Sequence, residues 1–403
     1  MRRHEAFLIG IAFLLISGCA SQPYRFQEQV QAGDLSGAEQ TLEDLYTSKK
    51  NIVLHNLYDA TLQQLKGDFE SSNRILEETK PLADELALIS ISETTAASTI
   101  SESLQSFSGS QFERLMIYCL KFLNYMAQGD YNSARIETEQ AELKLREWGR
   151  SLTDFPFIPF LNALAYEAQG LTDNALVSYR RSLEAYEGYA PRLVKQSYLN
   201  LLAKDGRANE LLSQENALNM KAQYSPQKPA SLLVFITDGT VSARVAGIIN
   251  HRLDNRVDIY SIAVPFYPDS YQPVPPPQLY WNQSSATSQI VINTESEMRD
   301  ALDKQMPGFI ARGVARAITR EQVRQRSNDE WSFLFEIAGT ITELATADTR
   351  SWDILPQAIF VARVELPPTE ISFQTSVSGI ATTSLFHQAD LQPGLNFFLI
   401  QAR

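Results

Sequence analysis

Histidine and cysteine are nearly missing from this chain of 403 residues, which has 4 His and 2 Cys. His55, His251 and His387 lie far apart, and none has a His-Glu-x-x-His or paired-cysteine neighbourhood, so the usual zinc arrangements are excluded. No Gly-x-Ser-x-Gly elbow, calcium loop or phosphate loop appears either. No metal or cofactor is therefore expected. Beyond the first residues, no apolar run approaches the roughly 20 that a bilayer-crossing helix needs. Basic residues are in deficit: 35 Lys and Arg against 47 Asp and Glu give a formal charge of -12. Such a surface disfavours nucleic acid and is repelled by anionic lipid. The length and the 44% hydrophobic content suit a chain of about two or three domains with a sizeable core.

What is present begins at the amino terminus. Arg2 and Arg3 give a short positive start, and Ala6 to Ile16 form an apolar run. Its length fits a signal-peptide core and is too short to span a bilayer. Ile16-Ser17-Gly18-Cys19 follows. This ending resembles the lipobox of bacterial lipoproteins, with Ile16 where Leu is usual. The resemblance implies diacylglycerol on the Cys19 thiol, cleavage before Cys19 and acylation of the new amino terminus. Residues 1–18 would then be leader. One acyl chain holds a protein only marginally, whereas several on one residue make a stable anchor. Ala20, rather than Asp, after the cysteine implies sorting to the outer membrane, facing the periplasm. Losing the leader's two Arg and one Glu would leave the body at -13, from -12. With Cys19 lipidated, Cys119 has no intramolecular partner. Its apolar helical setting, Leu115 to Leu120, reads as a buried thiol rather than a nucleophile.

Residues 19–223 read as helical pairs. Gly33-Asp34, Gly67-Asp68-Phe69, Gly129-Asp130-Tyr131 and Gly170-Leu171 each end one helical pattern and open another, and Gly206 marks one more. Gly33 to Gly67 is a step of 34, the tetratricopeptide period, and Gly129 to Gly170 is 41. Tyr118, Phe122 and Tyr125 share one helix face before Gly129, and Ala134 follows it. Ala163 and Tyr166 precede Gly170, and Ala175, Tyr179 and Leu183 follow. Glycine permits the left-handed turn, small alanines let the helices approach, and aromatics fill the remaining space. The matches resemble tetratricopeptide repeats, with a Ser- and Thr-rich interruption from Ser92 to Gly109. A non-repetitive helical bundle with glycine turns is the alternative.

Character changes at Tyr224-Ser225-Pro226-Gln227-Lys228-Pro229, and residues 224–403 read as one α+β domain with inserted helices. Ser231 to Thr237 reads as a buried strand ended by Asp238-Gly239-Thr240, where Asp238 is a turn former rather than a catalytic carboxylate. Val257 to Val264 alternates like a half-buried strand. Pro265 to Gln283 is dense in proline, with Tyr267, Tyr271, Tyr280 and Trp281, and reads as an extended loop. It either covers the domain with its aromatics or offers them to a partner. Thr294 and Glu297 form a capping box for a helix running to about Arg326. Trp331 to Ala347 reads as a second helix. Ile359 to Val364, Ile371 to Thr375 and Phe397 to Gln401 are short strands, and strands from the two ends of the domain are expected to pair. The chain ends inside the last of them.

Arg312, Arg316, Arg320 and Arg324 recur every fourth residue and make one slanting basic stripe. Carboxylates of this acidic chain would compensate it, or else an acidic ligand would. Asp348, Arg350 and Trp352 read as an ion pair and brace within the fold. The whole layout resembles an uncharacterised family of bacterial repeat-containing lipoproteins. Phe112-Glu113-Arg114 running to Gly129-Asp130-Tyr131, Met306 to Ala317, and Ala347-Asp348-Thr349-Arg350-Ser351-Trp352 with Leu355-Pro356 carry that resemblance. It implies a fold and a location, and no activity.

The expected fold is therefore an α-helical tetratricopeptide-like superhelix followed by an α+β domain. The expected role is a membrane-anchored adaptor that binds envelope proteins. Its groove would be lined by the first helices of the pairs, where Tyr118, Lys121, Asn124 and Tyr125 lie. A cell-wall hydrolase, for which no motif is present, and a structural component of an envelope complex are the competing readings.

Overall fold

A computed structural model describes residues 24–96, 105–252, 259–324, 347–377 and 383–402. The leader, Cys19 and the helix expected over Trp331 to Ala347 fall outside them, apart from Ala347 itself.

The first half is built of antiparallel helix pairs, as its glycines foretell. They are α1 (residues 24–31) with α2 (Leu35–Asp44), α3 (Ile52–Leu65) with α4 (Phe69–Ala96), α5 (Gln111–Gln128) with α6 (Tyr131–Glu147), α7 (Phe157–Ala168) with α8 (Thr172–Ala185), and α9 (Arg192–Lys204) with α10 (Ala208–Leu218). Gly33, Gly67, Gly129, Gly170 and Gly206 turn these pairs with φ of 75°, 81°, 75°, 72° and 73°, the region that glycine enters without steric cost. The aspartate after a turn then caps the next helix. Asp34, Asp68 and Asp130 accept from the backbone N–H groups of Gly37, Ser71 and Ser133. α5 starts with a complete capping box between Ser110 and Glu113. The expected interruption begins later than its Ser and Thr content suggests, because α4 continues through Ser92 to Ala96.

The second half packs two sheets face to face. The strands are β1 (Ala230–Asp238), β2 (Val245–Arg252), β3 (Ile259–Phe266), β4 (Gln278–Trp281), β5 (Ser284–Thr287), β6 (Gln289–Ile292), β7 (Ala358–Leu366), β8 (Glu370–Val377), β9 (Thr383–Asp390) and β10 (Gly394–Gln401). One sheet runs β10-β1-β7-β6, the other runs β5-β4-β8-β9, and β2-β3 form a separate ribbon. The domain's ends do pair: β1 lies parallel to β10, with Leu233 opposite Phe397. Helix α11 (Thr294–Arg324) packs on β3.

β1 is buried at every one of its 9 residues. Strand alternation explains how. Ala230, Leu232, Val234 and Ile236 face the second sheet, together with Phe360, Ile371 and Phe373. Leu233 and Phe235 face the other way and join one core with the helices, including Phe122, Leu161 and Val361. The central sheet thus lies directly on the first helices: β10 meets α5 and α7, and β7 meets α9. The two halves share a hydrophobic core.

Several sequence expectations change. The carboxamide oxygen of Asn293, not Thr294, caps α11 by accepting from the N–H of Ser296. The proline-rich stretch is loop only in its middle. Pro265 lies in β3 opposite Ala246, and Tyr280 and Trp281 lie in β4. Proline fits because each strand of a two-stranded ribbon keeps an open edge, where its missing N–H costs no ladder bond. Gly239 ends β1 at φ 67°, and a Cβ there would meet Val274 Cγ2 at 2.9 Å, so both conformation and space require glycine.

A buried ion pair locks sheet to helices. Arg363 of β7 donates to Glu167 of α7 at 2.7 and 2.9 Å, with side chains only 6% and 5% exposed. The Tyr179 hydroxyl donates to the same carboxylate at 2.6 Å. Burial alone would push Glu167 up, but Arg363 and Tyr179 hold its carboxyl below the usual range. Removing one member strands a buried charge, which costs about 3–5 kcal/mol, whereas an apolar pair of similar volume is often neutral. R363M is expected to lower unfolding stability by about 3–5 kcal/mol, and the double variant R363M/E167L to recover most of it. Urea denaturation of the three proteins checks this.

Candidate functional site

The groove expected along the first helices is occupied by the chain's own sheet. Three of the four residues expected to line it are buried within α5's packing. Tyr118, Lys121 and Asn124 are 6%, 2% and 0% exposed. They are correspondingly unfit to line an open groove, and the reason is local. α5 is packed by α4, α6 and the sheet, so nearly its whole circumference is interior. Asn124 donates to Ser72 Oγ at 3.0 Å and Asn73 Oδ1 at 2.9 Å, and accepts from Gln64 Nε2 at 2.6 Å. Lys121 contacts Glu77 and lies 2.7 Å from Glu137, which also takes Lys80 at 2.6 Å. The Lys80 ammonium sits 4.6 Å over the Tyr118 ring. These are braces between neighbouring helices. Tyr125 alone of the four stays half-exposed.

The basic stripe is also corrected in part. Arg316 is 7% exposed, and Arg312 lies half-buried with its guanidinium 5.2 Å over the Phe309 ring. An arginine helix face turned into the fold is not an open anion-binding stripe. The side chains of Arg320 and Arg324 lie outside the described ones. Cys119 is buried and burial pushes its thiol up, away from nucleophilic use. No group of His, Cys, Asp and Glu suited to a metal occurs among the described residues, and none of the described helices is long and apolar enough to cross a membrane.

The Asp348–Arg350–Trp352 stretch does form a brace, and it spans the two halves. Arg350 pairs with Asp348 at 2.7 Å and reaches Asn51 Oδ1 at 2.7 Å and the Gln105 carbonyl at 2.9 Å. Trp352 is fully buried. Its indole N–H donates to Thr61 Oγ1 at 2.9 Å and its backbone N–H to Glu113 Oε1 at 2.8 Å. Gln27 donates to the Val241 and Asp353 carbonyls at 2.8 and 3.1 Å. Beside these, the Tyr58 hydroxyl donates to the buried Asp353 carboxylate. Burial raises the Asp353 carboxyl to about 7, helped by nearby Glu113 and opposed by Tyr58 and Arg244. Sequence reasoning missed Asp353. The buried Asp353 and Glu113 carboxylates both accept hydrogen bonds within the fold. Glu113 gives one oxygen to Ser110 N–H and the other to Trp352 N–H.

Open concavities lie between successive pairs. One, of about 650 Å³, is lined by Glu70, Arg74, Glu78, Tyr125, Gln128 and Asp130, among others. The next, of about 360 Å³, is lined by Glu142, Tyr166, Asp173, Asn174, Val177 and Arg181, among others. They are equivalent by position. Tyr125 stands four residues before Gly129, and Tyr166 four before Gly170. Glu77 and Glu139 each stand ten residues after their turn glycine and line the first and second concavity respectively.

Asp353 gives a pH test. Its folded-state pKa is raised, so its contribution to stability is full below the unfolded value of 3.8 and is lost as pH rises through about 7. Glu297, raised to about 7 by burial and Asp300, adds a slope of the same sign. D353N is expected to flatten, though not abolish, the fall in stability between those limits. Denaturation midpoints of both proteins across that range check it; an unchanged slope would contradict the assignment.

No family model matches the chain, and no curated protein matches it. Among solved structures, MamA (AMB-1) aligns at 16% identity over 50% of this chain and 90% of its own, with a TM-score of 0.33. A MamA (RS-1) double mutant aligns at 11% identity over 50% and 94%, with a TM-score of 0.35. At these scores the overlap is loose, and the helical-repeat assignment stands on the hairpins themselves.

Proposed function

We propose that this chain is a lipid-anchored binding protein of the bacterial envelope that docks a basic segment of an envelope protein. The observation that carries the docking is the pair of equivalent concavities, each with a half-exposed tyrosine and an acidic rim. Residues 24–223 hold 28 Asp and Glu against 19 Lys and Arg, which favours a partner bearing lysine or arginine. Each tyrosine supplies rigid contact area at small entropic cost. Two sites one repeat apart suit an extended segment that spans both.

The anchor rests on the leader: Arg2 and Arg3, the apolar run, and Ile16-Ser17-Gly18-Cys19 with Ala20 after it. These support an outer-membrane position facing the periplasm. The tether would be short. Five residues from Cys19 to Tyr24 reach at most about 17–18 Å, so the first helix pair would ride close to the lipid surface. An acidic body so near anionic headgroups gains nothing from them, which leaves the acyl chains to hold it.

Replacing the thiol by C19S should move the protein from the membrane to the soluble fraction after cell lysis; membrane retention of this variant would overturn the anchor. The double variant Y125A/Y166A should stay folded, with a melting temperature lowered by the lost helix packing, yet lose the envelope protein that crosslinks to the intact chain. The full mature chain is the right bait, because a repeat fragment alone would expose the core face that the sheet covers. Undiminished crosslinking by the double variant would sink the docking assignment.

A further inference from the structure

The outer face of the second sheet carries a feature that its packing does not use. In this sheet the inward positions Leu279, Ile371, Phe373 and Val377 fill the space between the sheets. The outward positions should then be plain and polar. Most are, but Phe386 of β9 is 80% exposed and Tyr280 of β4 is 44% exposed. The strand register puts them in one row: Ser285 is opposite Tyr280, Tyr280 opposite Gln374, and Gln374 opposite Phe386. The two rings lie two strands apart, about 10 Å, with the Gln374 carboxamide between them. They border a shallow concavity of about 470 Å³.

Trp281 and Phe373 also line it. The rest of the lining is hydroxyl and carboxamide groups, among them Ser285, Asn282 and Gln283, and no charged side chain lines it among the described residues. In a chain of net charge -12 that neutrality is selective. The outward charges on these strands, Glu370 and Asp390, face each other at the far end of the β8–β9 pair. The turn between β4 and β5 adds to the rim. Asn282 and Gln283 hold φ of 39° and 64°, a two-residue hairpin turn usually filled by Asn-Gly. Gln283 in the glycine's place costs backbone strain and brings a third carboxamide to the concavity, beside those of Gln374 and Asn282.

We propose that this face is a binding site for an uncharged glycan chain. Aromatic rings on a flat, neutral bed accept the C–H faces of sugar rings, while carboxamides and serines exchange donors and acceptors with the hydroxyls. The ring spacing is about that of a disaccharide unit. A charged polymer finds no counter-charge there, and a protein partner would leave this density of hydroxyl and amide groups to be desolvated and paired one by one. The site lies in the second sheet, remote in sequence from the repeat concavities, and is independent of the docking assigned to them.

The test uses the full mature chain with two neutral probes, chitohexaose and cellohexaose, and polygalacturonate as a charged control, each titrated by calorimetry. Binding of at least one neutral hexasaccharide and none of polygalacturonate is expected. Y280A and F386A should each weaken it about tenfold, the order of one stacking contact. Both side chains are solvent-facing, so melting temperatures should not move, and Q374A, which keeps both rings, should weaken binding without altering oligomeric state. Failure of both hexasaccharides to bind, or equal binding by the ring variants, overturns the proposal. So does a change in oligomeric state on Y280A or F386A, which would make the face a contact between copies.

Discussion

A strand apolar on both faces must be covered twice, and this molecule is arranged around that requirement. β1 has no solvent side. Its even-numbered residues take the second sheet and its odd-numbered ones take the first helices of the repeats. Each covering layer is then fixed by what it covers. The helices must present a continuous apolar surface along their first members, which α5 and α7 do. The second sheet needs an apolar inner face and is free to be polar outside. Burying apolar area on this scale contributes about 25 cal/mol per Å², without direction. Direction comes from the polar groups within it. Arg363 is held between Glu167 and Glu365, and the Trp352 indole N–H is met by Thr61 Oγ1.

The segment from Asp348 to Gln357 shows how such polar groups are organised. It has no regular structure, so its backbone groups need partners individually. Glu113 supplies one for Trp352, Gln27 one for Asp353, and the N–H of Val241 one for Leu355. Those partners come from α5, α1 and the turn after β1. The first helix, a repeat in the middle and the start of the sandwich therefore meet on one strap.

What is legible in the sequence is what a residue demands of its own surroundings. The turn glycines at Gly33, Gly67, Gly129, Gly170 and Gly206 were legible because a left-handed turn is a local demand that few residues meet. β1 was legible as a continuous apolar run, and the pairing of the domain's two ends followed from strand order. The ribbon strand through Pro265 was missed because proline's prohibition depends on which edge is open, a fact of pairing. Lys121 and Asn124 were misplaced for a related reason. Polar residues at helical spacing look solvent-facing unless the neighbours that satisfy them are known. Here those neighbours are Glu137 and Ser72, on other helices. The Arg363–Glu167 pair does leave a trace in the sequence: an arginine inside Phe360-Val361-Ala362-Arg363-Val364 must have a partner if the strand is interior. Its identity, 196 residues away, is written only in the packing.

The filled groove also constrains how such a protein can bind. Helical repeats ordinarily hold partners along their first helices. For a partner to enter here it would have to displace the sheet, uncovering an apolar face and separating a buried ion pair whose rupture alone costs about 3–5 kcal/mol. A ligand shifts an equilibrium only by its difference in affinity for the two states, so that cost would come directly out of its binding free energy. The outer surfaces require no such displacement: Tyr125, Tyr166, Tyr280 and Phe386 are already partly or largely exposed with the groove closed. A partner bound at the proposed outer faces would leave the sheet on the helices and the groove closed.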